Sequence, residues 1–472
     1  MSELWTPRNM DRRRFLRLGA ASAGALLVAC SVDEGDPSNG GGGGNGGPRP
    51  APGAFGRPLE DSGGLLDLPR RFQYRILSDP DTPLASGAPN PGHPDGMAAF
   101  EGPGGATLLM RNHELEDDEG PRVEGENPFD SDAAGGTTVL VVHPDRRVTD
   151  SYVSSSGTDS NCAGAATPWG TWLTCEETDS DEHGYVFEID PADPESDLSR
   201  SPLRDMGRFA HEAGGVDPET GIVYLTEDNG PQSFLYRFLP DDTSGRPGSL
   251  AEGGSLQALA LADDEGVDGS GLEQGRAYQE SWVDVDPEVA NDSAAGAGAV
   301  RFTRLEGAWF SDGVLWFNDT NGGAEGLGQT FRYRPAAESL ELFYESSEEG
   351  AMKAPDNAHV TAWGDFFFVE DWRDDNRVMG LTPDGKVYEF AANRLNDSEL
   401  TGPCFSPDGR TMFVCFQDPG ITFAIWGPFP GPSAARRARL AIAAPPFDLG
   451  LTGLAIADVR QSHCNHRKRW LM

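Results

Sequence analysis

The chain has 472 residues with 60 Gly and 36 Pro and few long amphipathic periods, which favours one large all-β domain over several helical ones. Its 76 acidic and 37 basic residues give a formal charge of -39. A field of that sign repels nucleic acid and anionic lipid and suits metal loading or a saline exterior.

Residues 1–30 read as a targeting segment to be kept out of the fold. Arg12-Arg13, within Asp11–Arg17, resembles the twin-arginine export signal, and the apolar run Leu18–Ala29 is too short to span a bilayer. Leu27-Val28-Ala29-Cys30 matches a lipobox that would leave Cys30 lipidated; a chance match in an apolar signal core is the competing reading. Residues 31–58, with Gly40–Gly44, form a flexible tether. The expectation is an exported protein, periplasmic or at the cell surface, touching the membrane only through a lipidated N-terminus.

From residue 59 a repeated grammar begins. A strand opening on polar residues leads through a turn to an apolar strand that ends in polar residues. Asp95-Gly96-Met97 leads to Asn112-His113-Glu114, and Asn161-Cys162-Ala163 to Cys175-Glu176-Glu177. His211-Glu212-Ala213 leads to Thr226–Asn229, and Leu305-Glu306-Gly307 to Asn318–Asn321. Asp356-Asn357-Ala358 leads to Val369–Trp372, and Thr401–Cys404 to Cys415–Asp418. Repeats of three or four strands every ~40–50 residues predict a six-bladed β-propeller over 59–446 with a polar, metal-binding mouth. A basic tail, 447–472, follows. The protein is expected to be a monomer.

Cys162 and Cys175 fall on adjacent strands of one hairpin, as do Cys404 and Cys415. Outside the cytoplasm a disulfide is the first suspicion where the register permits. An odd count after Cys30 leaves at least one thiol for another task. The alternative brings Cys162 to one rim with Glu176-Glu177 as metal ligands. Rings of carboxylate and amide oxygens suit Ca²⁺, and a thiolate shifts the preference toward a transition metal. Arg304, two residues before Glu306, points to the same side of its strand. A cation beside metal-binding acids fits an anionic substrate such as a phosphate; a plain salt bridge is the simpler reading. His113, His211 and His359 read as structural, Lys353 is available as a second cation, and the acidic, Gly-rich stretch 241–298 has no assigned role.

Asn161–Gly164 through Thr167–Glu177, with His211-Glu212-Ala213 and Arg304–Gly307, resembles the PhoX-type alkaline phosphatases over roughly residues 60–430. The resemblance implies a six-bladed propeller carrying a ferric pair and several calcium ions at its mouth, acting on small phosphomonoesters. By motif position, Cys162 would bridge the irons as the catalytic-centre thiolate, Glu212 and Glu306 would be iron ligands, and catalytic Arg304 would hold the phosphate. Glu177, Asn112, Glu114, Asp356 and Asn357 would complete the metal ligands on the calcium side. Two other functions compete. One is a calcium-dependent propeller esterase, lactonase or phosphotriesterase, which needs no thiolate at the rim. The other is a non-catalytic, calcium-stabilised binding module, favoured if Cys162 is disulfide-bonded.

Overall fold

A computed structural model describes residues 55–116, 120–262, 267–348 and 351–431. The export signal, the lipobox with Cys30, most of the 31–58 tether, the end of the 59–446 domain and the 447–472 tail lie outside the described residues.

The fold is all-β and propeller-like. Its strands are short, and the second strand of each repeat is mostly apolar before its polar end. Phe366–Glu370 and Met412–Phe416 are buried at every position, as expected of strands covered on both faces. The only α-helix among the described residues is α1, Ala290–Ala297.

Backbone hydrogen bonds define five sheets among the described residues, where six blades are predicted. Pro94–Glu101, Thr107–His113, Gly135–Val142 and Val148–Thr158 form the first. Asn161–Ala166, Trp172–Glu176 and Val186–Ile189 form a three-stranded sheet. The next two repeats merge into nine strands, because Ala277–Asp284 pairs with both Gly254–Leu261 and Ser339–Glu345. The stretch 241–298 thus supplies a strand shared by two neighbouring sets. The fourth sheet runs from Pro355–Val360 outward to Val387–Asn393 and is extended by Leu66–Pro69 and Pro58–Leu59.

The fifth sheet joins the two ends of the described chain. Leu400–Phe405, Met412–Phe416 and Ile421–Trp426 take Gln73–Ser78 as their fourth strand. Phe55, expected in the tether, instead packs on Phe72, Phe390 and Phe429 at 5.4, 5.5 and 6.1 Å. The folded part therefore begins before residue 59. Six first strands ring the centre, 94–101 beside 161–166, then 211–216, 305–311, 355–360 and 400–405, which returns to 94–101.

Apolar side chains fill the gaps between neighbouring sheets, and Cys175, Cys404 and Cys415 serve there. Cys404 lies opposite Phe413 and Cys415 opposite Thr401, so that pair does not meet; Cys175 lies opposite the Cys162–Ala163 bulge, yet no disulfide joins it to Cys162. All four described cysteines are free thiols.

Phe72 is 2% exposed and sits where the N-terminal strand locks onto the last sheet. Truncating a buried Phe forfeits its transfer energy and leaves a cavity. Phe72→Ala should lower unfolding free energy by about 3–5 kcal/mol in urea denaturation; a change under about 1 kcal/mol would show that this closure does not hold the ring together.

Candidate metal centre

Each of the six central strands carries a β-bulge at the same place. The register slips between Pro94 and Met97, Asn161 and Gly164, His211 and Gly214, Leu305 and Ala308, Pro355 and Ala358, and Thr401 and Cys404. A bulge sets two residues against one and re-aims their side chains. The first residues of these pairs are Asp95, Cys162, Glu212, Glu306, Asp356 and Gly402. Five of the six strands therefore turn a donor to the ring at the same level.

The ring is tightly packed. A Cβ on Gly96 would lie 2.5 Å from Ala163 Cα, and one on Gly402 would lie 2.4 Å from the Asp95 carbonyl oxygen. Gly402 also has φ +60°, where a side chain is strained. The acid-plus-small-residue pair that recurs in the sequence is thus a packing requirement as well as a ligand motif.

Three donor sets result, within each of which the ligand atoms lie within 4.8 Å of one another. They are Asp95, Glu114 and Cys162; Cys162, Glu177 and Glu212; and Glu212, Glu306 and Asp356. Cys162 is common to the first two and Glu212 to the last two. Glu212 is fully buried, and its Oε2 has no hydrogen-bond partner. A buried carboxylate oxygen without a donor is costly unless something positive meets it. The oxygen-rich sets with one thiol therefore fit bound cations.

The electrostatics point the same way. Burial, then repulsion by neighbouring acids, pushes Asp95, Glu177, Glu212, Glu306 and Glu399 well above the carboxylate range. Asp356 is pushed up to about 6 by burial and by Asp371. Burial raises the Cys162 thiol, and Asp95, Glu212, Glu177 and Glu114 add to it. Cys162 Sγ lies 3.7 Å from Asp95 Oδ1, within reach for a thiol donor.

Arg304 lies at the edge of this cluster. Its Nε reaches both Asp228 oxygens at 2.9 and 3.0 Å, its Nη2 also binds Asp228, and Nη2 lies 3.0 Å from Glu306 Oε1. Burial lowers its pKa, but Asp228 and Glu306 outweigh that and hold the guanidinium charged.

Cys162, Glu114, Glu177, Glu212, Glu306, Asp356 and Arg304 are brought together, and three expected residues are not. Asn112 faces the neighbouring blade. Its Nδ2 donates to the Cys162 and Ala163 carbonyls at 3.0 and 2.7 Å, and its Oδ1 accepts from Trp172 and Thr174 at 2.9 and 3.0 Å. With four partners its amide has no oxygen left for a cation. Asn357 turns its Oδ1 to the Gly402 amide (2.8 Å) and its Nδ2 to Asp356 and Glu212 (3.0 and 3.4 Å), so both ends of its amide are engaged with protein and brace those two acids. Glu176 accepts from the Asp159, Gly184 and Tyr185 amides and from His183, folding the loop after its strand.

Lys353 is also elsewhere, its Nζ on the Asp374 carbonyl at 3.0 Å. His113 and His211 are buried against backbone carbonyls and lowered to about 3 by burial. Sequence reasoning missed Asp95, Asp228 and Glu399. Asp95-Gly96 could have been found, because it fills the same repeat position as Cys162-Ala163 and Glu212-Ala213. Glu399 precedes its strand and carries no repeat signal.

The family model described as "Alkaline phosphatase PhoX" matches residues 54–420. The Pseudomonas fluorescens PhoX structure in complex with vanadate, a transition state analogue, is similar in fold. It has a TM-score of 0.62 and 18% identity, covering 82% of this chain and 99% of that one. A gluconolactonase from Xanthomonas campestris matches with a TM-score of 0.44 and 14% identity over 81% of this chain and 94% of its own. A calcium-binding regucalcin from Agrobacterium tumefaciens matches with a TM-score of 0.38, 14% identity and coverages of 73% and 94%. No curated protein matches the sequence.

If Asn112 is a clamp between blades, Asn112→Leu takes a partner from two carbonyls, an indole N–H and the Thr174 hydroxyl. Each orphaned buried group costs about 1–3 kcal/mol. The expected result in chemical denaturation is a loss of several kcal/mol, with metal content per folded molecule unchanged. Metal loss without destabilisation would restore Asn112 as a ligand.

Proposed function

The chain belongs to the PhoX alkaline phosphatase family, a family of metal-dependent phosphate-ester hydrolases, and from that membership we propose that it hydrolyses small phosphomonoesters at the mouth of a six-bladed propeller. The nine-stranded sheet is counted as two blades that share the strand Ala277–Asp284. The observation that carries the proposal is the run of donor sets through Cys162 and Glu212, with Arg304 at its edge.

The donors divide by chemistry. Cys162 with Glu212 and Glu306 would hold iron, since thiolate is a soft, strongly donating ligand. Asp95, Glu114, Glu177 and Asp356 offer hard oxygens suited to calcium. Bound there, the cations would polarise the phosphoryl group and stabilise charge developing on its oxygens.

The protein's own groups do the rest. Asp228 holds the Arg304 guanidinium as a fork, and the side chain is 35% exposed, so it can meet an anionic group entering from solvent. Its fixed charge would stabilise the phosphoryl oxygens in the transition state without reorganising at that moment. The surrounding carboxylates repel a phosphate until cations offset them, which makes loading a precondition for substrate binding. The binding-module alternative leaned on a disulfide at Cys162, and that thiol is free. Export and lipid anchoring through Cys30 would place the activity outside the cytoplasm, acting as a monomer on phosphomonoesters there.

Cys162→Ser exchanges a strong ligand for a hydroxyl that stays protonated. Iron content and p-nitrophenyl phosphate hydrolysis should fall together while calcium and the fold survive, and Cys175→Ser should change neither metal. Arg304→Ala should lower kcat/KM by about 10²–10³-fold with metals retained, the scale for losing one charge-stabilising donor. Matching phenotypes for the two cysteine variants, or an active Arg304→Ala enzyme, would overturn the assignment.

A further inference from the structure

Arg304 is aimed by Asp228, and Asp228 lies on a short loop, 228–233. Gln232 donates its amide to the Asn229 carbonyl at 2.7 Å, and Ser233 Oγ accepts from the Asn229 amide at 3.1 Å. Ser233 and Phe302 exchange backbone hydrogen bonds at 3.1 and 2.9 Å, zipping the loop to the segment before Arg304. A Cβ on Gly230 would come within 3.0 Å of Arg304 Cγ, so the loop backbone lies against the arginine stem.

The far side of this loop is held from the stretch 241–298. Asn291, at the start of α1, donates through Nδ2 to Glu227 Oε1 (2.8 Å) and to the Gln232 carbonyl (2.9 Å). Its Oδ1 accepts from Gln232 Nε2 at 2.9 Å. Glu227 is itself buried, and its Oε2 accepts from the Phe234 amide and Tyr236 Oη at 3.2 and 2.9 Å. One amide side chain thus ties both flanks of the loop that carries Asp228. All of its bonds go to that loop or its root.

We propose that Asn291 is a positioning residue for the phosphate-binding arginine. Helix α1 acts through it as a buttress that fixes Asp228 and, through Asp228, the Arg304 fork. This rests on the phosphatase reading for its consequence and on the hydrogen bonds alone for the coupling. A fork displaced by about 1 Å loses its alignment with the phosphoryl oxygens, and such displacements cost up to about 10²-fold in rate. The effect falls on anion binding as well as turnover, because the same guanidinium meets phosphate in the ground state. A merely structural role would lower the active fraction and leave KM alone.

The test uses the full chain with Asn291→Leu, which keeps volume and removes all three bonds. Gln232→Ala removes one of them, the bond from Gln232 Nε2, and keeps the bond to the backbone carbonyl; Glu288→Gln, on the exposed side of the same stretch, is the control. With p-nitrophenyl phosphate, Asn291→Leu should lower kcat/KM about 10- to 100-fold, raise KM and weaken inhibition by inorganic phosphate, with iron and calcium contents unchanged. Gln232→Ala should move the same way by less, and Glu288→Gln should not move. Hydrogen exchange at residues 228–233 and 303–306 should quicken in the first two variants. If Asn291→Leu does not fold, Gln232→Ala decides. Unchanged KM and phosphate inhibition, or unchanged exchange at 303–306, would overturn the proposal. An inactive wild-type enzyme would instead refute the phosphatase reading, leaving the exchange data to judge the coupling.

Discussion

Repulsion among acids crowded at one level of the ring is the constraint from which the rest of the structure follows. Two unit charges 4.8 Å apart repel by about 3–4 kcal/mol at an effective dielectric near 20. A domain is stable by only about 5–15 kcal/mol. A handful of such pairs, all ionised, would cancel the folding free energy. Protons can relieve the crowding, which is the direction of every raised carboxyl here, and cations can relieve it at neutral pH while also satisfying the orphan oxygen of Glu212. The bulges enforce the crowding, and the tight contacts between neighbouring strands leave it no room to spread.

Much else in the fold resists that strain. The acids at the ends of the second strands form a separate class from the acids on the bulges. Asp319 accepts from the Thr303 and Arg304 amides at 3.0 Å each, and Glu370 pairs with Arg377 at 2.6 Å and accepts from the Lys353 amide. With Glu176 and Glu227 they anchor the loops around the mouth. The residues that follow Glu176, Glu227 and Glu370 are Glu177, Asp228 and Asp371, which belong to the mouth. Adjacent residues on a strand face opposite ways, so a clamp and a mouth residue sit side by side in the sequence with opposite tasks. Deeper in, apolar clusters such as Phe72, Phe367, Phe390 and Phe423 supply the stability that the mouth consumes.

That pairing explains what was legible in the sequence. The all-β class and the repeat were visible because a strand opening on a polar residue recurs at a fixed place, while the roles of Cys162, Glu212 and Glu306 came from the family resemblance laid over that repeat. Asp95 obeyed the same rule and was passed over as a ligand. Only the resemblance chose Glu177 from the Glu176-Glu177 pair, because the residues alone do not say which carboxylate the pleat turns inward. Asn112 was a ligand candidate through the resemblance, yet the bulge carbonyls of the neighbouring sheet claim its amide. The sheet count differed because pairing of Ala277–Asp284 with Ser339–Glu345 is a long-range contact with no local signature. Asp228 and Asn291 are joined to Arg304 only through tertiary hydrogen bonds, and no spacing encodes that.

If the bulged ring holds metal between Cys162 and its neighbouring acids, that metal lies against the thiol. Anomalous diffraction from crystals of the purified protein, recorded on both sides of the iron absorption edge, tests this directly. An iron signal is expected in contact with Cys162 Sγ, bounded by Glu212 and Glu306, with lighter non-iron density against Asp95, Glu114 and Glu177. An iron-free ring with Cys162 touching only protein atoms, or metal bound at a site away from the bulges, would contradict it.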